Sequence, residues 1–272
     1  MHGRFLLPSL FGFLLPLATV VVPAHGFRWW RAAALASIAG WTVVCALWLR
    51  VPYVGHGTPG PWGIADERGF YTYHMQMPNP IYIGDYLRHP YVAQFGKSLL
   101  SYDRAVVLQA GPGLAFVTSL APSVPRPIRV VLGLSNVGVL GYLAGPDVHV
   151  IDRQGLSDPI AARILLTRRG RPGHEKFLPE AWIVARFGDR EAAITRSPAA
   201  TDAVRALGCG DLARLLRAVD GPITPSRFLS NVGAAWTLHR LRIPADPAAA
   251  RDRFCAPGTT ATPSPSSREG AG

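Results

Sequence analysis

The sequence predicts two N-terminal transmembrane helices plus an extracytoplasmic α/β domain with a helical C-terminal section. Three observations carry this reading. Two stretches without charge, 5–23 and 32–49, flank a short basic loop. Strand-like and helix-like segments alternate between residues 104 and 187. After residue 200 the apolar residues fall at helical spacing. Composition agrees: 49% of the 272 residues are hydrophobic and 17% charged, with mean hydropathy +0.17. A soluble domain usually carries about a quarter charged residues. A disordered chain and a disulfide-dense mini-protein are both excluded, the latter because there are three cysteines.

Each uncharged stretch is about long enough to cross a hydrocarbon core as a helix. The connection AHGFRWWR carries Arg28, Arg31 and the Trp29-Trp30 pair. Tryptophan favours the membrane interface and basic loops the cytoplasm, so residues 1–50 are expected to form a hairpin with both ends outward. A signal peptide over residues 1–25 is the rival; Pro8, Pro16, Pro23 and the second span behind it argue against it. On this reading residues 51–272 are extracytoplasmic and the protein sits in the cell membrane.

Residues 51–103 read as a membrane-proximal loop and aromatic segment, rich in Gly and Pro at first. The spacing of Tyr82, Tyr86 and Tyr91 does not decide between helix and extended chain. The α/β domain is expected over 104–255. Ala105–Leu108, Ile128–Leu134 and Val148–Ile151 are strand candidates, and Trp182–Phe187 reads as a further strand. Asn136–Ala144 reads as a short helix. Ser157-Asp158-Pro159 carries a helix-start signal, and so does Thr224-Pro225-Ser226. Leu212, Leu215, Leu216 and Val219 follow helical spacing, as do Leu229, Val232 and Trp236. Residues 256–272, rich in Thr, Pro, Ser and Gly, are expected to be a disordered tail.

The net charge of +11 comes from 28 basic residues, of which only Lys97 and Lys176 are lysine. The arginines are scattered, not gathered into a stripe, so no nucleic-acid partner is expected. Gly138, Gly141 and Gly145 give G-x-x-G-x-x-x-G, not the dinucleotide fingerprint, and suit a tight helix–strand contact. No G-x-S-x-G, C-x-x-C or Walker A sequence is present.

Two polar clusters remain. Asp152 and Asp158 flank a glycine turn at the C-terminal end of a predicted strand, where α/β sheets often take ligands. They suit sugar hydroxyls or a divalent cation; equally, Asp152 suits bracing the turn or pairing with Arg163, and Asp158 serving a helix start. His174 and Glu175 follow a Pro-Gly turn in Arg171–Lys176. They suit a sugar or anionic ligand, or general acid–base work, against the alternative of a solvated loop. No cofactor is certain, and a divalent cation is the one candidate. Cys209 and Cys255 fall on the predicted oxidising side, which permits a disulfide, with two free buried thiols as the alternative; Cys45 sits within a span and is expected to be free.

Longer blocks then acquire meaning together. GYLAGPDVHVIDRQGLSDPIAAR (141–163), RPGHEK (171–176), EAWIVAR (180–186), LGCGDLARLL (207–216) and ITPSRFLSN (223–231) resemble the C-terminal part of GT-C type, polyprenyl-phosphate-dependent glycosyltransferases. Within that class they are most similar to the terminal β-(1→2)-arabinofuranosyltransferases that finish cell-wall arabinan. The opening Met1-His2-Gly3-Arg4 resembles an internal motif of that family, just before a late transmembrane helix. The resemblance implies that Met1 is internal to a longer enzyme whose catalytic carboxylate lies upstream, so no catalytic residue is assigned here and the chain alone is expected to be inactive. It implies a polyprenyl-phosphate arabinofuranose donor, a cell-wall polysaccharide acceptor and membrane lipid as partners. His2 and Arg4 are then expected to hold the donor phosphate, the alternative being a start methionine followed by an interfacial arginine. Asp152, Asp158, His174 and Glu175 would contact substrate. The non-enzymatic alternative is a membrane-anchored carbohydrate-binding or wall-interaction module, with Tyr53, Trp62, Phe70, Tyr71, Tyr73, Tyr82, Tyr86, Tyr91 and Phe95 available to stack on sugars.

Overall fold

The computed structural model describes residues 29–51, 55, 66–90, 92–93, 96, 99, 101–110, 113–135, 137–167 and 173–256. The chain divides into two compact units, residues 1–90 and 91–272.

In the first unit, helix α1 spans Trp29–Arg50 and α2 spans Glu67–Met75, followed by a 3-10 helix over Ile83–Arg88. Asp66 caps α2, its carboxylate accepting from the Gly69 N–H at 2.9 Å. In α1 the Ser37 and Thr42 hydroxyls donate back to Ala33 and Ile38 carbonyls, each at 2.8 Å. Among the described residues no helix is long and apolar enough to cross a membrane. The two expected N-terminal transmembrane helices are therefore not supported. The signal was absence of charge around a basic, tryptophan-bearing loop. A span needs about 20 predominantly apolar residues. The uncharged stretch of α1 is interrupted by Ser37, Gly40 and Thr42 and bounded by Arg31 and Arg50. The other expected span, 5–23, lies outside the described residues.

The second unit is built on a four-stranded sheet in the order β2-β1-β3-β4. Its strands are β1 (Ala105–Ala110), β2 (Gly113–Ser119), β3 (Val130–Leu134) and β4 (Val148–Asp152). β1 and β2 form an antiparallel hairpin, while β1, β3 and β4 run parallel. Between β3 and β4 lies helix α3 (Gly138–Ala144), the usual crossover for parallel neighbours. Alternate residues of the strands serve two cores. Val106, Leu108, Val131 and Ile151 face one helical layer; Ala105, Val107, Val130, Leu132 and Leu134 pack with Leu140 on the other face.

The first layer begins with α4 (Glu180–Phe187), where a strand had been expected. Ala181, Trp182, Ile183 and Val184 are consecutively buried. A short helix wrapped on all sides has no polar face, and its apolar run cannot be told from a strand by period. Trp182 is fully buried, and its indole N–H donates to the Ala245 carbonyl at 2.9 Å. Gly133 of β3 makes room for α4: a methyl group there would stand 2.6 Å from Leu108 Cδ2 and 2.9 Å from Ile183 Cδ1.

Five helices complete the unit: α5 (Arg190–Arg196), α6 (Pro198–Leu207), α7 (Gly210–Val219), α8 (Pro225–Leu238) and α9 (Pro247–Phe254). Caps from Asp189, Ser197, Thr224 and Asp246 open four of them. The expected disulfide is present: Cys209, just before α7, and Cys255, just after α9, are joined across 46 residues, and Cys45 is free. A closed loop of this length stabilises by about 4 kcal/mol on the chain-entropy account.

Candidate functional site at the end of β4

β4 ends at Asp152 in the buried edge of the sheet. The chain then turns through Gly155, whose φ of +82° suits glycine; a Cβ there would stand 2.6 Å from the Ala161 carbonyl oxygen. Asp152 holds the turn. One carboxylate oxygen accepts from the Gln154 N–H at 2.9 Å, and the other from Ser157 N–H at 3.0 Å and from Leu156 N–H. Asp158 is equally engaged. Its Oδ1 accepts from the Ile160 and Ala161 N–H groups at 2.9 and 2.8 Å, opening the 3-10 turn Ala161–Arg163. Its Oδ2 pairs with Arg186 Nη1 of α4 at 3.1 Å. The helix-start signal at Ser157–Pro159 thus opens a single tight turn. Arg163 donates instead to the Leu238 and Pro159 carbonyls, each at 2.9 Å.

The segment carrying the second cluster lies against this turn. Leu178 N–H donates to the Arg153 carbonyl at 2.8 Å, and Arg153 Nε returns a bond to the Leu178 carbonyl at 3.1 Å. Lys176 Nζ donates to the Ala162 carbonyl. Residues 153–162 and 176–178 are therefore sewn side by side. Arg153 is buried, and burial pushes its guanidinium below the ordinary arginine range, with the Glu180 charge opposing. Burial likewise lowers Lys176, helped by Arg242 and Arg163 and opposed by Glu175.

His174 is exposed and Glu175 half-buried on this segment, which Gly173 enters at φ +79°. Arg171 and Pro172 lie outside the described residues, as do His2 and Arg4. Two further residues at the same edge were not singled out from sequence. Phe177 is 52% exposed, with the Arg153 guanidinium 4.1 Å from its ring centroid, and Leu156 is 70% exposed. An aromatic directly after the His-Glu-Lys run was the available signal. Among the described residues no group of three or more His, Cys, Asp or Glu side chains can hold a metal ion.

The first unit holds a concavity of about 620 Å³, lined by Ala46, Glu67, Arg68, Tyr71, Asn79 and Tyr86 among others. Tyr71 and Tyr86 meet edge to face at 5.4 Å, and Tyr71 lies 5.8 Å from the buried His89 ring. Phe70 and His74 complete the cluster, at 4.5 Å from each other. Burial and the neighbouring His74 lower the His89 pKa below its ordinary value. Tyr53, Trp62, Tyr91 and Phe95 lie outside the described residues.

Residues 123–253, which hold β3, α3, β4, the loops beyond it and α4 to α8, match a protein-family model. The model is that of the AftB family C-terminal domain. A terminal beta-(1->2)-arabinofuranosyltransferase of Mycobacterium tuberculosis is 31% identical over 273 residues, covering 89% of this chain and 43% of that protein. Another, from Corynebacterium glutamicum, is 29% identical over 267 residues, covering 88% of this chain and 38% of its own length. The chain thus spans less than half the length of these relatives. No solved structure matches it. The resemblance noted in the sequence holds.

Proposed function

We propose that this chain is the C-terminal portion of a membrane glycosyltransferase that moves arabinofuranose from a polyprenyl-phosphate donor to a cell-wall polysaccharide. The observation that carries the reading is the alignment with two terminal arabinofuranosyltransferases over nearly nine tenths of the chain. In this reading the extracytoplasmic face of the cell membrane is its location. The edge beyond β4 holds the acceptor, and His2 and Arg4 hold the donor phosphate.

At that edge Asp152 and Asp158 act as positioning residues. Their oxygens already accept backbone N–H groups, so they fix the turn against which residues 176–178 lie. Contact with the acceptor falls to His174, Glu175 and Phe177. A half-exposed ring backed by a guanidinium suits the apolar face of a sugar, and the His and Glu beside it suit hydroxyls. Arg4, always charged and with a planar fork, suits a phosphate.

The test is a chimera. Residues 1–256 replace the corresponding C-terminal part of the Mycobacterium tuberculosis relative, and transfer of arabinofuranose from the polyprenyl-phosphate donor is measured in membranes. Transfer should persist, and Arg4→Ala in the chimera should weaken donor use about tenfold or more, the worth of one charge-assisted contact. A chimera that folds and reaches the membrane but transfers nothing would contradict the proposal.

A further inference from the structure

Helix α8 is amphipathic the wrong way round for a helix on a soluble surface. It buries Ala234 and Leu238 against the domain, and Asn231 Nδ2 fastens the same side to the Ala218 carbonyl at 2.8 Å. At 3.6 residues per turn, Phe228, Leu229, Val232 and Trp236 fall within an arc of about 100° on the opposite side. There a surface helix normally carries polar residues. All four are exposed, at 57%, 69%, 58% and 70%, and Ile223 at the approach to the helix is 74% exposed. Ser226, Ser230, Gly233 and Thr237 border one flank of this stripe, so the apolar band has a defined edge.

The surroundings of the stripe are cationic. The Arg240 guanidinium lies 4.8 Å from the Trp236 ring centroid, with the His239 ring 5.6 Å from the same indole. Arg240 and Arg242 follow the helix directly, while Arg227 at its start is turned onto the Arg217 and Asp220 carbonyls; the helix itself carries no acid. A continuous aromatic and aliphatic band, ended by a tryptophan–arginine pair and set among arginines, matches the chemistry of an anionic lipid surface. The apolar residues enter the acyl boundary, the indole sits at headgroup level and the arginines meet lipid phosphates. A protein partner for the same band would be expected to supply acids to Arg240 and Arg242, and the helix's own flank supplies none.

We propose that α8 lies flat on an anionic bilayer, with Phe228, Leu229, Val232 and Trp236 immersed and Arg240 at the headgroups. The contact docks the α/β domain onto the membrane surface without any segment of that domain crossing it. This inference does not depend on the sugar acted upon.

Site-directed spin labelling of the full chain tests it. Cys45→Ala removes the free thiol, and the Cys209–Cys255 disulfide keeps the other two from labelling. Single cysteines are then placed as Leu229→Cys, Val232→Cys and, on the flank, Ser230→Cys. The chain is reconstituted in vesicles of phosphatidylglycerol and phosphatidylcholine. Collision with oxygen, which concentrates in lipid, is compared with collision with a water-soluble nickel chelate. The labels at 229 and 232 should favour oxygen several-fold over the label at 230. Equal, water-like accessibility at all three positions would overturn the proposal. So would labels at 229 and 232 shielded from both reagents, which would assign the stripe to protein; dipolar broadening would identify that protein as a second copy.

Discussion

Two neighbouring loops at the end of β4 carry similar polar residues and use them in opposite ways. In residues 152–162 every carboxylate oxygen is engaged by backbone N–H groups or by Arg186, and the carboxylates are buried. In residues 173–178 the chain is held by its backbone and by Lys176, while His174 and Phe177 face solvent. An acid at the end of a sheet strand is therefore not in itself a vacant ligand. The first loop is the frame and the second is the surface it presents. Substitutions in either loop separate them, and the first unit supplies a comparison.

The largest effect is expected at Asp158. Asp158→Ala takes one of two carboxylates from Arg186, which keeps Asp220 at 2.7 Å, and removes the acceptor of the Ile160 and Ala161 N–H groups. Each buried donor left unsatisfied costs about 1–3 kcal/mol, so the whole loss is about 3 kcal/mol. Urea titration of the domain's folding should show a drop of that size, and a change below about 1 kcal/mol would remove the distinction between the loops. Next is Gly155→Ala. The left-handed backbone alone costs about 1–2 kcal/mol in an L residue, and the approach to the Ala161 carbonyl adds to it. Thermal unfolding should register that loss, whereas Gly173→Ala, with open space around its Cβ, should lose only the backbone part.

His174→Ala and Phe177→Ala should shift stability by no more than about 0.5 kcal/mol, as exposed positions do. A large loss in either would mean that the second loop is structural as well. The smallest effect is a pH dependence in the first unit. Because the His89 pKa is depressed on folding, the unfolded chain takes up the proton first. The contribution of His89 is complete above the ordinary histidine pKa of about 6.5 and declines as the pH falls through the interval below it. Near-ultraviolet circular dichroism of the tyrosine cluster should follow that decline, and His89→Phe should flatten it.

Much of the sheet was legible beforehand. β1, β3 and β4 announce themselves as runs of valine, isoleucine and leucine bounded by turn residues. β2 was not, because Gly111-Pro112-Gly113 reads as an end rather than a hairpin, and Gly113 is in fact the first residue of the returning strand. α4 was misread because its apolar run has no helical period, and the expected hairpin at 1–50 rested on two uncharged stretches around a basic, tryptophan-bearing loop. The Cys209–Cys255 bond was expected from an oxidising side that the sequence reading assigned to both cysteines. At the site, the acids of the first loop were legible as residues but not as roles, since sequence cannot count backbone N–H groups converging on a carboxylate. Phe177 and Arg153 were invisible, because they meet only when Leu178 folds back onto the strand end.

The central claim, that the second loop is the acceptor surface, is tested most directly by titrating the full chain with a short arabinofuranose oligosaccharide and observing saturation transfer to the sugar. The account predicts transfer that weakens about fivefold in His174→Ala and by a similar factor in Phe177→Ala, each the worth of one hydrogen bond or one stacked ring, with unfolding unchanged. Binding that is undiminished in both variants, or that is lost instead on changing Tyr71 or Tyr86 in the first unit, would contradict it.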